Sequence, residues 1–193
     1  LPENEGEWIL NTTNDTRRDI DFIEALVDHI SESHAVDRAR LYATGYSLGS
    51  MFTYEIACQL NGSFAAVASH AGTMPINPSS CEMERNIAIM HIHGVLDSII
   101  PYSDEWDWKN WPQVGPMMSA PDLVEYRKNK HNCQSTQESE ELTSTHTIHS
   151  DCEGGARVEH HRIPQTGHEW PTSINGTYTH EVIWNFVSEF SLQ

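Results

Sequence analysis

A glycine-rich turn between a short apolar run and a helical segment is the feature that most restricts how this chain can fold. Residues 41–60 contain the pattern G-x-S-x-G, with Gly45, Ser47 and Gly49 at its fixed positions. Where such a turn joins a buried strand to a helix, it exposes the serine hydroxyl above the end of a sheet. Glycines on both sides let the backbone turn sharply without side-chain clashes. The pattern therefore predicts a strand–turn–helix unit that carries a nucleophile.

Apolar runs and amphipathic segments alternate along the rest of the chain. The predicted buried strands lie at 38–46, 64–72, 86–94 and 156–164. The predicted helices lie at 16–30, 48–60, 121–130 and 180–192. This alternation predicts a three-layer α/β fold with a mostly parallel sheet. Residues 1–16 are expected to be an irregular lead-in, and the polar segment 132–156 a long loop.

Length and charge limit the classes of function. A chain of 193 residues is predicted to form one domain with a sizeable core. Its formal net charge of -17, from 28 acidic and 11 basic residues, argues against nucleic acid or an anionic membrane as a partner. Its apolar runs are shorter than the roughly 18 residues that a membrane-spanning helix needs.

Four cysteines bear on the cellular compartment. Cys58, Cys81, Cys133 and Cys152 allow three pairings, of which the sequential one closes loops of moderate size. They lack the C-x-x-C spacing of zinc knuckles and dithiol redox sites. Because disulfides persist in oxidising compartments, we expect a secreted or periplasmic protein.

A serine hydroxyl needs a base, and the base needs an orienting acid. In α/β-hydrolases these groups follow in the chain order Ser, Asp or Glu, His. Asp97 lies on the turn after the third predicted strand, and His168 lies in the loop after the fourth. We therefore predict Ser47 as nucleophile, Asp97 as acid and His168 as base. Rival carboxylates in a polar stretch nearby are Asp104, Glu105 and Asp107.

Two further groups of residues are expected at this site. The backbone N–H of Leu48, at the start of the helix after the serine, is a candidate oxyanion donor. Aromatic walls near such a site suit apolar or aromatic esters. The candidate substrate contacts are Tyr46, Trp106, Trp108, Trp111 and Trp170. The alternative for the tryptophans is that they cover the core under a long loop.

The pair His91 and His93 has the spacing of some metal sites. Two imidazoles two residues apart lie on one face of a strand, as in some metal centres. The sequence offers no convincing third ligand nearby, so we predict hydrogen-bonded histidines packed in the sheet and no metal.

Four segments together resemble the poly(3-hydroxybutyrate) depolymerase-like esterases, a group that includes feruloyl and acetylxylan esterases of the α/β-hydrolase superfamily. They are ARLYATGYSLGSMFTYEIACQLNGSFAAVASHAG, IMHIHGVLDSIIPY, YRKNKHNC and TGHEWP. The resemblance implies a secreted serine esterase, without a cofactor, that acts on a polyester or a plant-wall ester. It implies the same roles for Ser47, Asp97 and His168. It also implies the disulfides Cys58–Cys81 and Cys133–Cys152.

The sequence departs from that family in two places. Ser50 stands where members usually have a glycine after the turn. Members also have several strands before the helix at residue 17, and the loop after one of them supplies a second oxyanion donor. We therefore expect 1–193 to be the C-terminal part of a single α/β-hydrolase domain, with 132–156 as a disulfide-pinned loop. The second donor would lie outside this chain, in an N-terminal segment that could be a separate chain.

Two other interpretations remain open. A serine peptidase of the prolyl-oligopeptidase type shares the fold and the order of the three residues. A non-catalytic or partner-dependent fragment would follow from the expected open edge of the sheet beside the nucleophile strand.

Overall fold

Strands and helices alternate along the part of the chain that the computed structural model describes, namely residues 7–13, 16–79, 81, 85–107 and 114–192. The helices are α1 (Arg18–Ser33), α2 (Leu48–Gln59), α3 (Ala120–Lys130) and α4 (Thr179–Val187), with a short 3-10 helix at Glu153–Gly155. The strands are β1 (Tyr42–Tyr46), β2 (Ala66–His70), β3 (Ala88–Gly94), β4 (Trp106–Asp107), β5 (Pro116–Met117), β6 (Ser135–Glu140), β7 (Thr145–Ser150), β8 (Val158–Ile163), β9 (Ser173–Ile174) and β10 (Thr177–Tyr178).

The four strands predicted from apolar runs form the parallel part of a six-stranded sheet. Its order is β1-β2-β3-β8-β7-β6, and β1, β2, β3 and β8 run parallel. Parallel strands have their carboxyl ends along the same edge of a sheet, and ligands bind outside those ends. The segments that follow β1, β3 and β8 carry Ser47, Asp97 and His168. The topology therefore brings these three residues to one edge of the sheet.

Two helical layers cover this sheet. Side chains of α1, α2 and α3 share one core with Val67 and Ile89 of the sheet. On the opposite face, α4 packs on Ala68, Met90 and Ile163. Helix α2 is buried on nearly all sides, as expected for a helix whose residues are apolar around its whole circumference. The predicted three-layer α/β fold is confirmed.

The strand before Ser47 is less buried than its sequence predicts. Its residues are half-buried, and Thr44 is exposed. In the described residues β1 pairs with β2 alone, so it forms an edge of the sheet. The prediction of a fully buried strand is wrong here because an edge strand has a neighbour on one side only.

The prediction of a loop at 132–156 is also wrong. This segment contains β6 and β7, which form an antiparallel hairpin and join the sheet through β8. Every residue of β6 from Thr136 onward is exposed, so the strand has no buried face to leave an apolar alternation in the sequence. Charged, polar side chains on an edge strand also oppose pairing with another chain.

Both disulfides that the resemblance implies are present. Cys58 at the end of α2 is bonded to Cys81, which lies before β3. Cys133 and Cys152 join the two ends of the hairpin segment. A loop of this size stabilises the fold by roughly 3 kcal/mol on the loop-entropy account. The second disulfide therefore holds a hairpin that has little apolar packing of its own.

The lead-in segment is attached to α2 through a buried carboxylate. Glu55 accepts hydrogen bonds from the backbone N–H of Asn11 (2.8 Å) and of Thr12 (3.4 Å), and from Gln59 Nε2 (2.9 Å). Trp8 stacks on Phe52 with ring centroids 4.2 Å apart. Burial raises the pKa of Glu55, although these hydrogen bonds oppose the shift.

Among the helices in the described ranges, none has the length and apolar character required to span a membrane.

Replacement of Glu55 tests this attachment. Glu55→Leu leaves two backbone N–H groups of the lead-in without an acceptor, which should lower the free energy of unfolding by about 2 kcal/mol. Glu55→Gln keeps a carbonyl oxygen at the same place and should cost much less. Urea denaturation followed by tryptophan fluorescence measures both variants. Equal losses would show that the lead-in does not depend on this acceptor.

Candidate active site

Ser47 occupies a strained turn between β1 and α2. Its backbone has φ 55° and ψ -122°, and α2 begins at the next residue. Positive φ is unfavourable for a residue with a side chain, and such strain is typical of functional turns. The Ser47 N–H donates to His70 O at 3.0 Å, which ties the turn to the end of β2.

Only one of the two pattern glycines is sterically required. A Cβ on Gly45 would lie 2.1 Å from the carbonyl oxygen of Gly49, whereas a Cβ on Gly49 would meet no atom within 4 Å. The close approach of helix and strand therefore depends on Gly45. The sequence argument that both glycines avoid a clash is wrong for Gly49.

Ser50 fits behind the turn without crowding it. It is fully buried, and its hydroxyl hydrogen-bonds Ser69 Oγ and lies 3.3 Å from Gly72 O. The room comes from Gly72, where a Cβ would lie 2.5 Å from Ser47 O and 2.8 Å from Ser50 Cβ. Gly72, which faces Ser50, thus provides the space that a glycine at position 50 was expected to provide.

The three residues predicted to act together form one hydrogen-bonded row. His168 Nε2 lies 2.9 Å from Ser47 Oγ, and His168 Nδ1 lies 2.8 Å from Asp97 Oδ2. Ser47 and His168 are half-buried, whereas Asp97 is buried. A hydroxyl can thus pass its proton to an imidazole whose other nitrogen faces a carboxylate. The rivals Asp104, Glu105 and Asp107 are exposed.

The loops that carry acid and base are bonded to each other. Leu96 N–H donates to Thr166 O at 3.0 Å, and Val95 N–H donates to Ile163 O at 2.9 Å. Between them, a Cβ on Gly94 would lie 2.2 Å from Thr166 O. Sequence analysis missed this role of Gly94, for which a glycine at the end of a predicted strand was the available signal.

Asp97 is held as a carboxylate. Burial alone would raise its pKa, but hydrogen bonds from His93, the Ile100 N–H, His168 and the Ile99 N–H outweigh burial and hold the pKa below its usual range. The negative charge persists at neutral pH and can stabilise an imidazolium at His168.

Leu48 is the first residue of α2. The first N–H groups of a helix have no acceptor within it, and the helix dipole places partial positive charge there. The assignment of the Leu48 N–H as an oxyanion donor stays a prediction from the sequence.

Tyr46 contacts both His168 and Trp170. Its hydroxyl donates to His168 O at 2.9 Å, and its ring centroid lies 5.1 Å from the His168 ring and 6.2 Å from the Trp170 ring. Sequence analysis treated Tyr46 only as a substrate contact and missed this hydrogen bond. Burial raises the pKa of Tyr46, so the hydroxyl keeps its proton.

Trp170, two residues after His168 in the chain, forms part of an apolar groove. The groove has a volume of about 340 Å³, and Trp184 and Thr44 are among its walls. Trp170 is 41% exposed and packs edge-on against His70 at 5.0 Å. His70 is fully buried with neither ring nitrogen hydrogen-bonded in the described structure, and burial lowers its pKa to about 3.

Of the other predicted aromatic contacts, only Trp106 lies within the described residues. Trp106 Nε1 donates to Thr73 Oγ1 at 3.0 Å, and the ring packs against the larger core. This placement fits the alternative that the ring covers the core. Trp108 and Trp111 lie outside the described residues.

His91 and His93 are hydrogen-bonded inside β3, as the sequence argument for packed histidines expects. His91 Nε2 lies 3.2 Å from His93 Nδ1, and each ring has a further partner in Tyr54 or Ile100. Both residues are buried.

A second histidine cluster lies on β7 and β8. Donor atoms of His146, Glu159 and His161 lie within 4.8 Å of one another, as metal ligands would. However, Glu159 Oε2 is 2.9 Å from His146 Nε2, and Arg157 Nε lies 2.5 Å from Glu159 Oε1. The two imidazole rings stack at 4.0 Å with planes 15° apart, so their in-plane lone pairs run side by side. An ion pair explains this arrangement without a metal.

Comparison with known proteins identifies a family that this sequence matches. The sequence profile of the phospholipase/carboxylesterase family matches residues 9–111. That range includes the turn at Ser47 and also Asp97.

Among curated proteins, the chain is similar to a bifunctional acetylxylan esterase/xylanase of Neocallimastix patriciarum, with 26% identity over 96% of this chain and 25% of that protein. It is also similar to feruloyl esterase C of Emericella nidulans, with 33% identity over 46% of this chain and 32% of that protein. The chain thus spans about a quarter to a third of the length of these relatives.

Among solved structures, an acetyl xylan esterase from Aspergillus awamori superposes with a TM-score of 0.62 at 13% identity. The match covers 87% of this chain and 66% of that one. At this identity the likeness concerns the fold, which is that of the α/β-hydrolases.

A methyl group at Gly94 should separate acid from base. Gly94→Ala would push the segment at Thr166 away, and a displacement of about 1 Å at such a site costs on the order of 100-fold in rate. The rate at which a fluorophosphonate labels Ser47 measures the effect. Gly62→Ala is the control, because a Cβ there meets no atom within 4 Å. Equal rates in both variants would contradict the role given to Gly94.

The pair His146 and Glu159 should make stability depend on pH. Burial lowers the pKa of His146, but the hydrogen bond and charge of Glu159 and the charge of Glu141 raise it above 6.5. A histidine whose pKa is higher in the folded than in the unfolded protein stabilises the fold fully at pH values below its unfolded-state pKa. This stabilisation is lost as the pH rises through the folded-state pKa. The advantage of wild type over His146→Gln in unfolding free energy should therefore shrink between about pH 5.5 and about pH 9.

His149, on the same strand, supplies a control of opposite sign. Burial lowers its pKa, so its stabilising effect is lost as pH falls below the unfolded-state value. The unfolding free energy of His149→Gln should therefore rise relative to that of wild type as the pH falls to about 5.5. The same trend in both variants would contradict the pairing of His146 with Glu159.

Proposed function

The chain belongs to the phospholipase/carboxylesterase family, and we propose that it carries the nucleophile, acid and base of a serine esterase. The observation that carries this proposal is the row Ser47–His168–Asp97, with hydrogen-bonding distances of 2.9 Å and 2.8 Å. The three side chains come from segments far apart in sequence and meet at the edge of the sheet where such sites lie.

In the first half-reaction Ser47 Oγ attacks the carbonyl carbon of a carboxylic ester. His168 Nε2 takes the hydroxyl proton, and Asp97 balances the charge of the imidazolium. The carbonyl oxygen becomes an oxyanion, which the Leu48 N–H stabilises at the start of α2. When the carbon–oxygen bond to the alcohol breaks, His168 gives its proton to the leaving alcohol, and the acyl group remains on Ser47.

In the second half-reaction water replaces the alcohol. His168 removes a proton from water, which attacks the acyl-enzyme carbonyl. The bond to Ser47 Oγ breaks, the hydroxyl recovers its proton from His168, and the carboxylic acid leaves. These steps require no cofactor.

A second oxyanion donor is proposed to come from backbone outside this chain. Among the described residues β1 pairs on one side only, so its other edge offers unpaired backbone groups beside the turn at Ser47. Further strands added at this edge, from an N-terminal segment or a separate chain, could bring such a donor to the site. Loss of one oxyanion donor typically costs roughly 100- to 1000-fold in turnover.

The substrate is proposed to be an ester of the plant cell wall, acetyl or feruloyl, with a polyhydroxyalkanoate as the alternative. The names of the curated relatives support the first class. The aromatic surfaces of Tyr46 and Trp170 beside His168 suit an aryl or sugar-linked group. Two disulfides support secretion into an oxidising compartment.

Loss of the nucleophile tests the proposal. Ser47→Ala should reduce hydrolysis of p-nitrophenyl acetate by a factor on the order of 10⁶ and abolish fluorophosphonate labelling. The exposed Ser63→Ala serves as the matched control and should behave as wild type. Unchanged hydrolysis in Ser47→Ala, or a wild-type chain that neither reacts with the probe nor cleaves the ester, would refute the assignment. The second result would favour a non-catalytic or partner-dependent fragment.

Comparison of substrates separates the candidate classes. Acetylated xylan, methyl ferulate, poly(3-hydroxybutyrate) and a prolyl peptide amide can be offered to the same preparation. Faster cleavage of the polyester would replace the plant-wall assignment. Cleavage of the peptide in preference to every ester would indicate a serine peptidase instead.

A further inference from the structure

A buried row of hydrogen-bonded rings extends from the core to the acid. Tyr54 Oη lies 2.8 Å from His91 Nδ1, and His91 Nε2 lies 3.2 Å from His93 Nδ1. His93 Nε2 lies 3.0 Å from Ile100 O and 3.4 Å from Asp97 Oδ2. Tyr54, His91 and His93 are at most 1% exposed. This row of Tyr54, His91 and His93 therefore ends inside the protein at Asp97 Oδ2, the oxygen that also faces His168 Nδ1.

The carbonyl of Ile100 determines the direction of these bonds. A carbonyl oxygen can only accept, so His93 Nε2 must carry the proton at 3.0 Å from it. The same N–H faces Asp97 Oδ2, and an ionised carboxylate also only accepts. His93 Nε2–H thus donates to Ile100 O and lies beside the Asp97 carboxylate oxygen, whose negative charge attracts it at 3.4 Å.

The hydrogen bonds of His91 and Tyr54 are consistent with a proton on His93 Nε2. Burial and the neighbouring histidines His93, His160 and His70 lower the pKa of His91 well below its usual value, so His91 is neutral and has one N–H. With that proton on Nε2, His91 donates to His93 Nδ1, and the Tyr54 hydroxyl donates to His91 Nδ1. The Tyr54 hydroxyl and the His91 N–H then each have an acceptor within the row, and the His93 N–H has the carbonyl of Ile100. In such a chain of buried hydrogen bonds, each bond polarises and so strengthens its neighbour.

The carboxylate of Asp97 is held from four directions. Oδ1 accepts the N–H groups of Ile99 at 2.9 Å and Ile100 at 2.8 Å. Oδ2 accepts His168 at 2.8 Å and faces His93 at 3.4 Å. The charge of Asp97 is also felt by Tyr46 and His70, which pack nearby. His93 alone among these groups couples Oδ2 to the interior of the sheet.

We propose that His93 is a positioning residue that orients Asp97 toward His168, with His91 and Tyr54 keeping the proton of His93 on Nε2. This inference rests on the proposed function of Ser47, Asp97 and His168 and adds a residue to it. It also assigns His91 and His93, which lie two residues apart in β3, a role other than metal binding. The competing explanation is that these rings are only satisfied core side chains.

His160 is a matched control for that explanation. It is buried beside His91, with ring centroids 5.3 Å apart, and it is hydrogen-bonded to His91 O and to Tyr102. Its bonds do not lead to Asp97. Replacing it removes the same imidazole from the same core and should leave the orientation of the acid unchanged.

The experiment compares His93→Leu, His93→Gln and His160→Leu. The readouts are kcat and KM on p-nitrophenyl acetate and the low-field NMR resonance of the His168 Nδ1 proton that faces Asp97. His93→Leu should lower kcat about 10- to 100-fold with KM unchanged, as when a hydrogen-bonding partner behind a functional ligand is removed, and should shift the resonance. Gln places an amide N–H near the position of Nε2, so His93→Gln should recover most of both effects.

A gentler pair of variants covers the case in which His93→Leu does not fold. Tyr54→Phe removes the hydroxyl that keeps the row in its direction, whereas Tyr102→Phe removes the one on His160. Tyr54→Phe should shift the His168 resonance and lower kcat several-fold, and Tyr102→Phe should do neither.

The outcomes separate this inference from the proposed function. If the His93 and His160 variants match in kcat and resonance, or if Tyr54→Phe matches Tyr102→Phe, His93 is only a core residue. That result would leave the esterase assignment intact. If Ser47→Ala retains activity, the proposed function fails, while the His168 resonance still reports whether His93 orients Asp97.

Discussion

Parallel pairing of β1, β2, β3 and β8 is the constraint on which the site depends. Their carboxyl ends share one edge, so the segments that follow them meet there. The hydrogen bond from Leu96 N–H to Thr166 O then sets the spacing between the segments that carry Asp97 and His168. The approach is so close that only glycine fits at Gly94, and the same holds for Gly45 before the turn at Ser47. Backbone packing, more than any side chain, brings Ser47, Asp97 and His168 together.

Behind that edge the sheet interior is unusually polar. His91, His93 and His160 are buried on strands where a parallel sheet ordinarily holds aliphatic side chains, and Tyr54 of α2 is buried beside His91. Buried polar groups are costly unless each finds a partner, and these four do. Such a network specifies one arrangement of its members, and its last member is the carboxylate that faces the base.

The two ends of the sheet are stabilised by different means. At the β6 edge, polar side chains face solvent and the Cys133–Cys152 disulfide closes the hairpin segment. At the β1 edge, half-buried residues adjoin an apolar groove that reaches Trp170. Within the described ranges, the β6 edge is protected against further pairing, whereas the β1 edge presents backbone groups and apolar surface. Of these two edges, the one next to Ser47 is thus suited to the addition of a strand.

The sequence by itself determined the alternation of strands and helices, the turn at Ser47, and the order of serine, acid and base, because apolar runs and the turn pattern are local signals. It did not reveal β6, which is exposed from Thr136 onward, or β7, whose buried positions Thr145 and His149 are polar, so neither strand has an apolar alternation. Nor did it reveal the tasks of Gly94, Gly72 and His93. Those depend on which backbone or carbonyl lies opposite each residue, and only the packing of distant segments decides that.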